Sequence, residues 1–178
     1  MIRSFRGKMP RIADSTLVSE TAYVIGDVEI GENSSVWHGA VIRGDLGEGQ
    51  IGAGMRIGSG THIEDNAVVH SAKVIGNNVV IGHGAVVEAF RVGDNVLIGN
   101  NATLMATSEV GNSCVVAAGA VVLPGMRIPD RSFVVGAPAQ IKGEISAEHI
   151  EHMRLTRSLM AALAEEYKKD RSHVQHPE

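Results

Sequence analysis

An aliphatic residue stands at every sixth position along most of this chain, with an interruption at 46–50 and a one-residue slip before Val92. The aliphatic positions are Val18, Val24, Ile30, Val36, Ile42, Ile51, Ile57, Ile63, Val69, Ile75, Ile81, Val87, Val92, Ile98, Leu104, Val110, Val116, Val122, Ile128 and Val134. An α-helix, with about 3.6 residues per turn, does not place an apolar stripe at every sixth residue. The period therefore excludes a helix and indicates stacked short strands.

The residues between the aliphatic positions supply the corners that join such strands. A glycine often follows the aliphatic residue, and Gly, Asn or Asp stands three places after it, as at Gly39 and Asn66. These residue types accept positive φ and turn the chain. Three strand-and-corner units close a triangular coil of about eighteen residues. The sequence predicts an all-β solenoid over residues 1–145, a parallel β-helix of about seven coils, whose hand the spacing does not fix.

After Val134 the six-residue period ends and a helical pattern begins. Ser146 is a suitable N-cap, and Glu148 adds an acidic group to the first turn. The apolar stripe of this helix comprises Ile150, Met153, Met160, Leu163 and Tyr167. We expect a C-terminal α-helix over residues 146–170 that packs along the solenoid or onto a neighbouring copy, followed by a flexible tail at 171–178. His173 and His176 in that tail are a weaker candidate for metal binding than for simple solvation.

Charge and composition exclude several classes of function. Sixteen Lys and Arg against twenty Asp and Glu give a net charge of -4, without the basic excess typical of nucleic-acid binding. No apolar run approaches the roughly 18 residues of a membrane-spanning helix. The N-terminal residues lack the apolar block of a secretory signal, and the single cysteine, Cys114, cannot form an internal disulfide. We therefore expect a cytoplasmic protein without nucleic-acid or membrane partners.

Two pairs of polar residues are spaced so that they stack on the predicted solenoid. Residues eighteen apart in an uninterrupted stretch lie above one another at about 4.8 Å, and this spacing relates His70 to Glu88 and Asp65 to His83. The two ladders lie on different faces, so they cannot converge on one ion within one chain. Three prisms packed about a threefold axis would bring them together around a metal. Ordinary polar groups at a surface or interface explain the same spacing equally well.

Four segments of the chain resemble the gamma-class carbonic anhydrase family. They are Val-Trp-His-Gly-Ala-Val-Ile-Arg-Gly-Asp at 36–45, Ile-Glu-Asp-Asn-Ala-Val-Val-His at 63–70, Ile-Gly-His at 81–83 and Gly-Ala-Pro-Ala at 136–139. The resemblance covers roughly residues 1–145 and implies a left-handed β-helix, a homotrimer, and a zinc or iron ion held between subunits by three histidines. His70 matches the first ligand and His83 the second, which the adjacent subunit donates.

The resemblance also implies roles for four charged residues. Arg43 and Asp45 match an Arg-Gly-Asp pair at the trimer interface, where a salt bridge that sets the trimer register is favoured over direct catalysis. Asp65 matches an acidic residue near the metal. Either Asp65 or its neighbour Glu64 would orient the substrate or relay a proton.

Three features depart from the family's pattern. Glu88 stands where the third histidine is expected, Glu64 stands where the family usually has Gln, and only twelve residues separate His70 from His83, where relatives often carry a longer loop linked to proton transfer. Two histidines and a glutamate still form a suitable set for zinc and also for Fe(II). An anionic ligand, however, leaves a metal-bound water less acidic than three histidines do.

The sequence therefore predicts a trimeric metalloprotein with His70, His83 and Glu88 as ligands of Zn²⁺, or alternatively of Fe²⁺ or another divalent metal. Its predicted reaction is the reversible hydration of CO2 to bicarbonate. Two alternatives remain open. One is a hexapeptide acyltransferase or a protein that processes CoA thioesters, and the other is a metal-free structural or assembly trimer.

Overall fold

The computed structural model describes residues 1–47, 49–50 and 52–171. The chain winds as a three-sided coil in which successive strands up to residue 135 lie on successive faces, and each of them pairs in parallel with the strand one coil away. Face 1 contains β1 (Ile2–Arg3), β4 (Tyr23–Gly26), β7 (Val41–Gly44), β10 (Val68–His70), β13 (Val86–Val87), β16 (Thr103–Leu104) and β19 (Val121–Val122). Face 2 contains β2 (Arg11–Ile12), β5 (Val28–Ile30), β8 (Met55–Ile57), β11 (Val74–Ile75), β14 (Arg91–Val92), β17 (Glu109–Val110) and β20 (Arg127–Ile128). Face 3 contains β3 (Leu17–Val18), β6 (Ser35–Val36), β9 (His62–Ile63), β12 (Val80–Ile81), β15 (Leu97–Ile98), β18 (Val115–Val116), β21 (Ser132–Val135) and β22 (Gln140–Glu144).

The predicted fold is confirmed as a left-handed parallel β-helix of about seven turns with a C-terminal helix. Its core is built from the aliphatic positions of the repeat, which stack in register, as Ile42, Val69 and Val87 do on face 1. All three are fully buried. Each coil thus adds a narrow layer of stiff, branched side chains to the same central column.

The interruption near residues 46–50 is longer than the sequence count indicated. After Ile42 in β7, the next face is occupied by Ile57 in β8, and Ile51 itself lies outside the described residues. Gly52 and Gly54 have the spacing of glycines in the repeat, but they belong to the segment between the two strands. Both have positive φ, +85° and +69°. The glycines of this loop therefore do not mark a strand, although their spacing matches the repeat.

The solenoid also extends beyond the counted repeat at both ends. β1 and β2 add a first coil, with Ile2 paired to Val24 and Ile12 paired to Ile30. At the other end β22 turns back and pairs antiparallel with β21. The last coil is therefore closed by a hairpin instead of presenting an unpaired parallel edge.

The glycine that follows many of the aliphatic residues is required by contact with the next coil. A Cβ built on Gly82 would lie 2.4 Å from the Asn100 Oδ1, and one on Gly99 would lie 2.4 Å from the Ala118 backbone nitrogen. The same Asn100 oxygen accepts a hydrogen bond of 3.0 Å from the His83 backbone N–H. A side-chain amide thus caps the corner below it, and the small residue leaves the space for it.

The helix α1 (Ala147–Arg171) begins where the sequence predicted. The Ser146 Oγ accepts a hydrogen bond of 3.2 Å from the His149 backbone N–H, which is the expected N-cap geometry. Within residues 1–47, 49–50 and 52–171, no helix combines the length and apolar character needed to cross a membrane. Residues 172–178, which include His173, His176 and nearly all of the expected tail, lie outside the described residues.

α1 packs along face 3 with part of its predicted apolar stripe. Met153 and Met160 are buried, whereas Ile150 and Tyr167 remain 46% and 41% exposed. The Tyr167 ring nevertheless contacts the indole of Trp37 edge-on, with ring centroids 5.1 Å apart. The helix therefore covers face 3 of its own chain.

The outward side chains give the three faces different characters. On face 1 the outward column is mostly apolar and half-buried: Tyr23, Val41, Val68, Val86, Thr103 and Val121. On face 2 the column is mostly charged: Arg11, Glu29, Arg56, Val74, Arg91, Glu109 and Arg127. Face 3 is covered by α1, so face 1 is the apolar face that the described residues leave uncovered.

Candidate functional site

Two histidines flank opposite edges of face 1. His70 is the last residue of β10, whereas His83 lies at the corner through which the chain passes from face 3 into β13. The structure brings the members of each predicted ladder together, Glu88 beside His70 and Asp65 beside His83. The two ladders stay apart within the chain, on either side of face 1.

The first cluster is centred on His70. The Nε2 of His70 lies 3.1 Å from the Asp45 Oδ1, and its Nδ1 lies 3.7 Å from the Glu88 Oε1. Arg43 donates to the other oxygen of Asp45, with Nη2 2.7 Å from Oδ2. Arg43 is also the residue paired with His70 across the two neighbouring strands. Four predicted site residues therefore meet in this cluster.

The charge of Asp45 is stabilised by its neighbours. Partial burial acts to raise the pKa of the Asp45 carboxyl, but the hydrogen bond and positive charge of Arg43, together with His70, bring that pKa below its ordinary value. Asp45 is therefore ionised near neutral pH and is held in place by Arg43. An oriented carboxylate on one imidazole nitrogen fixes the direction in which the other nitrogen points.

The second cluster is centred on His83. Its Nε2 lies 3.1 Å from the Glu64 Oε2, and its Nδ1 lies 2.9 Å from the Asp65 Oδ2. The Glu64 side chain is only 8% exposed, whereas that of His83 is 52% exposed. Burial raises the pKa of Glu64 and the Asp65 carboxylate adds to this effect, while His83 opposes it. Glu64 is thus suited to hold a proton at a pH where ordinary carboxylates do not.

Both imidazoles lie between two carboxylates, which has an electrostatic consequence. A neutral imidazole has one N–H, so it can donate to only one of its two carboxylate neighbours. Its second nitrogen then presents a lone pair to an anionic oxygen, which is repulsive. A bound cation would relieve this repulsion in each cluster.

The two clusters contain the types of donor atom that bind metal ions. Imidazole nitrogen and carboxylate oxygen are ligands that zinc and non-haem Fe(II) both accept, and His70, Glu88 and His83 supply them. Within the described part of a single chain, no three His, Cys, Asp or Glu side chains are arranged to hold a metal ion. A complete ligand set therefore requires that the two edges of face 1 come from different copies of the chain.

Sequence reasoning found no partner for His62 or Trp37, but the structure does. Trp37 Nε1 donates to the Ser35 Oγ at 2.7 Å, and that oxygen lies 2.8 Å from the His62 Nδ1. All three side chains are buried on face 3. Ser35 and His62 are 27 residues apart, not eighteen, because the loop after β7 lengthens that coil. A correct count of the loop would have revealed both this network and the stacking of Arg43 on His70.

A groove of about 410 Å³ opens beside the His83 cluster, between face 3 and α1. Its floor includes four outward residues of face 3 that stack in register: Val80, Leu97, Val115 and Phe133. Glu64 and His83 line its polar end, and Thr156 of α1 lines its other wall. The groove is thus continuous with one of the two clusters.

Two family models match the repeat. A model described as bacterial transferase hexapeptide, six repeats, matches residues 9–44 and 91–124, and one described as hexapeptide repeat of succinyl-transferase matches residues 74–106. Among solved structures, a hexapeptide transferase family protein from Anaplasma phagocytophilum is similar, with a TM-score of 0.85 and 29% identity over 93% of this chain and 97% of that one.

Several curated relatives are carbonic anhydrases by name. A Methanocaldococcus jannaschii protein named "Probable carbonic anhydrase" is 39% identical over 147 residues, which cover 80% of this chain and 89% of that protein. "Gamma carbonic anhydrase 2, mitochondrial" from Arabidopsis thaliana is 40% identical over 84 residues, 42% of this chain. That match covers 28% of the Arabidopsis protein's own length.

Proposed function

The chain belongs to the gamma carbonic anhydrase-like family of hexapeptide-repeat proteins, and from this premise we propose that it is a trimeric, metal-dependent hydratase of CO2. The active site would form where the His70 cluster of one copy meets the His83 cluster of the next. The observation that carries the proposal is the position of the two clusters on opposite edges of the one apolar face that α1 does not cover.

The character of the faces supports a closed trimer. Burial of the apolar column of face 1 favours contact with another copy, whereas the charged column of face 2 favours solvent. A contact between one edge of face 1 and the opposite edge in a second copy is head-to-tail, and head-to-tail contacts form a ring when the rotation between copies closes. A triangular prism suits a ring of three, in which each seam would contain one of each cluster.

Each residue of the seam has a chemical role in this proposal. His70 and Glu88 of one copy and His83 of its neighbour would hold Zn²⁺ or Fe²⁺, which when bound makes its water acidic enough to add to CO2. Asp45 orients the His70 ring by accepting from its Nε2, and Arg43 fixes Asp45.

The proton released by the reaction needs an acceptor on the protein. Asp65 lies 2.9 Å from the His83 Nδ1 and is partly exposed, so it can pass a proton to solvent. The raised pKa of buried Glu64 favours its protonated form more than that of an ordinary carboxyl, so Glu64 would hold the proton beside the site. Glu88, being anionic, would shift the hydration activity toward higher pH than three histidines would.

A test by complementation separates a site between chains from a site within one chain. His70→Ala and His83→Ala variants, each expressed alone, should lose bound metal and CO2 hydration. Co-expressed and purified as mixed trimers through two different tags, they should recover about one intact seam in three, because one seam of each mixed trimer combines the unaltered His70 of one variant with the unaltered His83 of the other. Metal content per trimer and stopped-flow CO2 hydration are the two measurements.

The outcomes of this experiment are unambiguous. Recovery of both metal and activity in the mixed trimer supports the proposal. Equal metal content in both single variants and wild type, or a monomeric wild type, would overturn it. A His152→Ala variant on α1 serves as a control for loss of an exposed histidine, and it should behave as wild type.

Acyl transfer is the second candidate, because the Anaplasma protein with the same fold at 29% identity is a hexapeptide transferase family protein. In this case acyl-CoA would lie in the groove between prisms. Calorimetric titration with acetyl-CoA and CoA tests it directly. Absence of heat at millimolar ligand would discard this candidate.

A further inference from the structure

We propose that the groove beside His83 binds the aliphatic chain of a neutral carbonyl compound, an ester or a thioester, with its carbonyl end at the His83 cluster. The inference rests on the proposed function only for the chemistry at that end. For the same site, the inference names a class of substrate that is larger than CO2.

The size of the groove argues against CO2 alone. A molecule of three heavy atoms needs a space on the order of that of one water, about 30 Å³, whereas the groove measures about 410 Å³. That volume lies within the range of pockets that hold organic ligands. The stacked floor from Val80 to Phe133 extends over three coil intervals, roughly 14 Å, which matches an extended chain of about eight to ten carbons.

The lining of the groove selects the charge of the ligand. Its floor is apolar, and in the part of the chain that the structure describes no Lys or Arg lines it. Its polar end is formed by His83 and the buried carboxyl of Glu64. A free fatty acid or a bicarbonate ion would therefore be disfavoured in the groove, whereas a neutral acyl chain would replace water on the floor.

The groove has a sequence origin in the residues that stack above Glu64. In successive coils Glu64 is followed by Gly82, Gly99 and Ala117, so each coil above it carries a small side chain or none. Trp37 stands one coil below Glu64 and packs against α1 instead. The helix also packs on face 3 in the higher coils, where Met153 contacts the cluster around Val115. The opening next to His83 therefore follows the column of small residues above Glu64.

The test measures binding of defined probes to the purified full chain by calorimetry and by ligand-observed NMR. S-octanoyl-N-acetylcysteamine and methyl octanoate should each bind at least about tenfold more tightly than their acetyl counterparts, because the longer chain buries more methylenes. The two arms distinguish a thioester from an ester. Octanoate should bind at least about tenfold more weakly than either octanoyl compound, because its carboxylate would lose water in a groove whose lining offers it no Lys or Arg.

Two variants on opposite walls locate the site. Leu97→Trp on the floor and Thr156→Trp on α1 should each remove the advantage of the octanoyl chain, provided that thermal melting shows both to be folded. Val74→Trp is the matched control, because Val74 is an outward strand residue on face 2, away from the groove. It should bind as wild type.

Failure of this inference is distinguishable from failure of the proposed function. Suppose that the wild-type protein holds metal and hydrates CO2 but binds acetyl and octanoyl probes equally. This result would overturn only the proposal for the groove, and would mean that a neighbouring copy fills the groove. Octanoyl selectivity without bound metal would support the groove and overturn the proposed hydratase. Unchanged binding in both tryptophan variants would place the ligand elsewhere and also overturn the inference.

Discussion

His70 and Glu88 occupy the same position in neighbouring coils, with the Nδ1 of the histidine 3.7 Å from the Oε1 of the glutamate. The pairing of Val69 with Val87 fixes this relationship through the backbone. A nitrogen and an oxygen donor are thereby presented together at the edge of face 1, where a neighbouring copy can add a third ligand.

Replacement of Glu88 should change the metal affinity in a predictable direction. Glu88→Gln removes the anionic ligand and should weaken zinc binding at least about tenfold, as measured by competition with a chromophoric chelator. Glu88→His should retain the metal and raise CO2 hydration near neutral pH, because a neutral third ligand makes the bound water more acidic. Glu109→Gln on face 2 is the control. Unaltered affinity in Glu88→Gln would show that Glu88 is not a ligand.

The apolar column of face 1 should be required for oligomer formation. Val86→Lys places a charge in the middle of the half-buried column and should convert the proposed trimer to monomers at micromolar concentration. Val74→Lys makes the same change on the charged face 2 and should leave the trimer intact. Light scattering after size-exclusion chromatography reports the mass. A trimeric Val86→Lys variant would contradict the assignment of face 1 as the interface.

Two glycines should differ in the cost of gaining a methyl group. Gly99→Ala should lower the free energy of unfolding by about 3 kcal/mol, because its Cβ would lie 2.4 Å from the backbone nitrogen of Ala118 in the next coil. Gly119→Ala should cost about 1 kcal/mol, because Gly119 has a φ of +67° but no neighbour within 4 Å of a Cβ. Urea unfolding of both variants measures the difference. Equal costs would show that the contact with the next coil does not determine the residue at position 99.

The sequence predicted most where its period was unbroken. From Ile57 onward the aliphatic count located each strand, and the spacing of eighteen correctly paired His70 with Glu88 and Asp65 with His83. Before that point the loop between β7 and β8 shifted the register. Arg43, twenty-seven residues before His70, was therefore not recognised as its stacking neighbour.

Other features could not be read from periodicity at all. Each imidazole contacts a second carboxylate, Asp45 for His70 and Glu64 for His83. These contacts depend on the direction in which side chains point at the corners. The groove depends on how far α1 stands from face 3, which the repeat does not encode. Tertiary packing, not local pattern, decides these distances.

The buried His62 should make stability fall as the pH is lowered. Burial, with a further contribution from the charge of Arg157, lowers the pKa of His62 from 6.5 to about 4. Between these values the unfolded chain binds a proton that the folded chain does not, so acid favours unfolding. From pH 7 to pH 4 this single group should remove about 3 kcal/mol of stability per chain. Above pH 6.5 it should have no effect, because His62 is neutral in both states.

Urea unfolding at fixed protein concentration between pH 7 and pH 4 measures this effect by difference. His62→Gln has no titrating group at this position, so its stability should fall by about 3 kcal/mol less than that of wild type over the same range. His152→Gln, which removes an exposed histidine from α1, should follow the wild-type profile. Parallel profiles for wild type and His62→Gln would mean that His62 is protonated in the folded protein, and that the network of Ser35, His62 and Trp37 tolerates the charge.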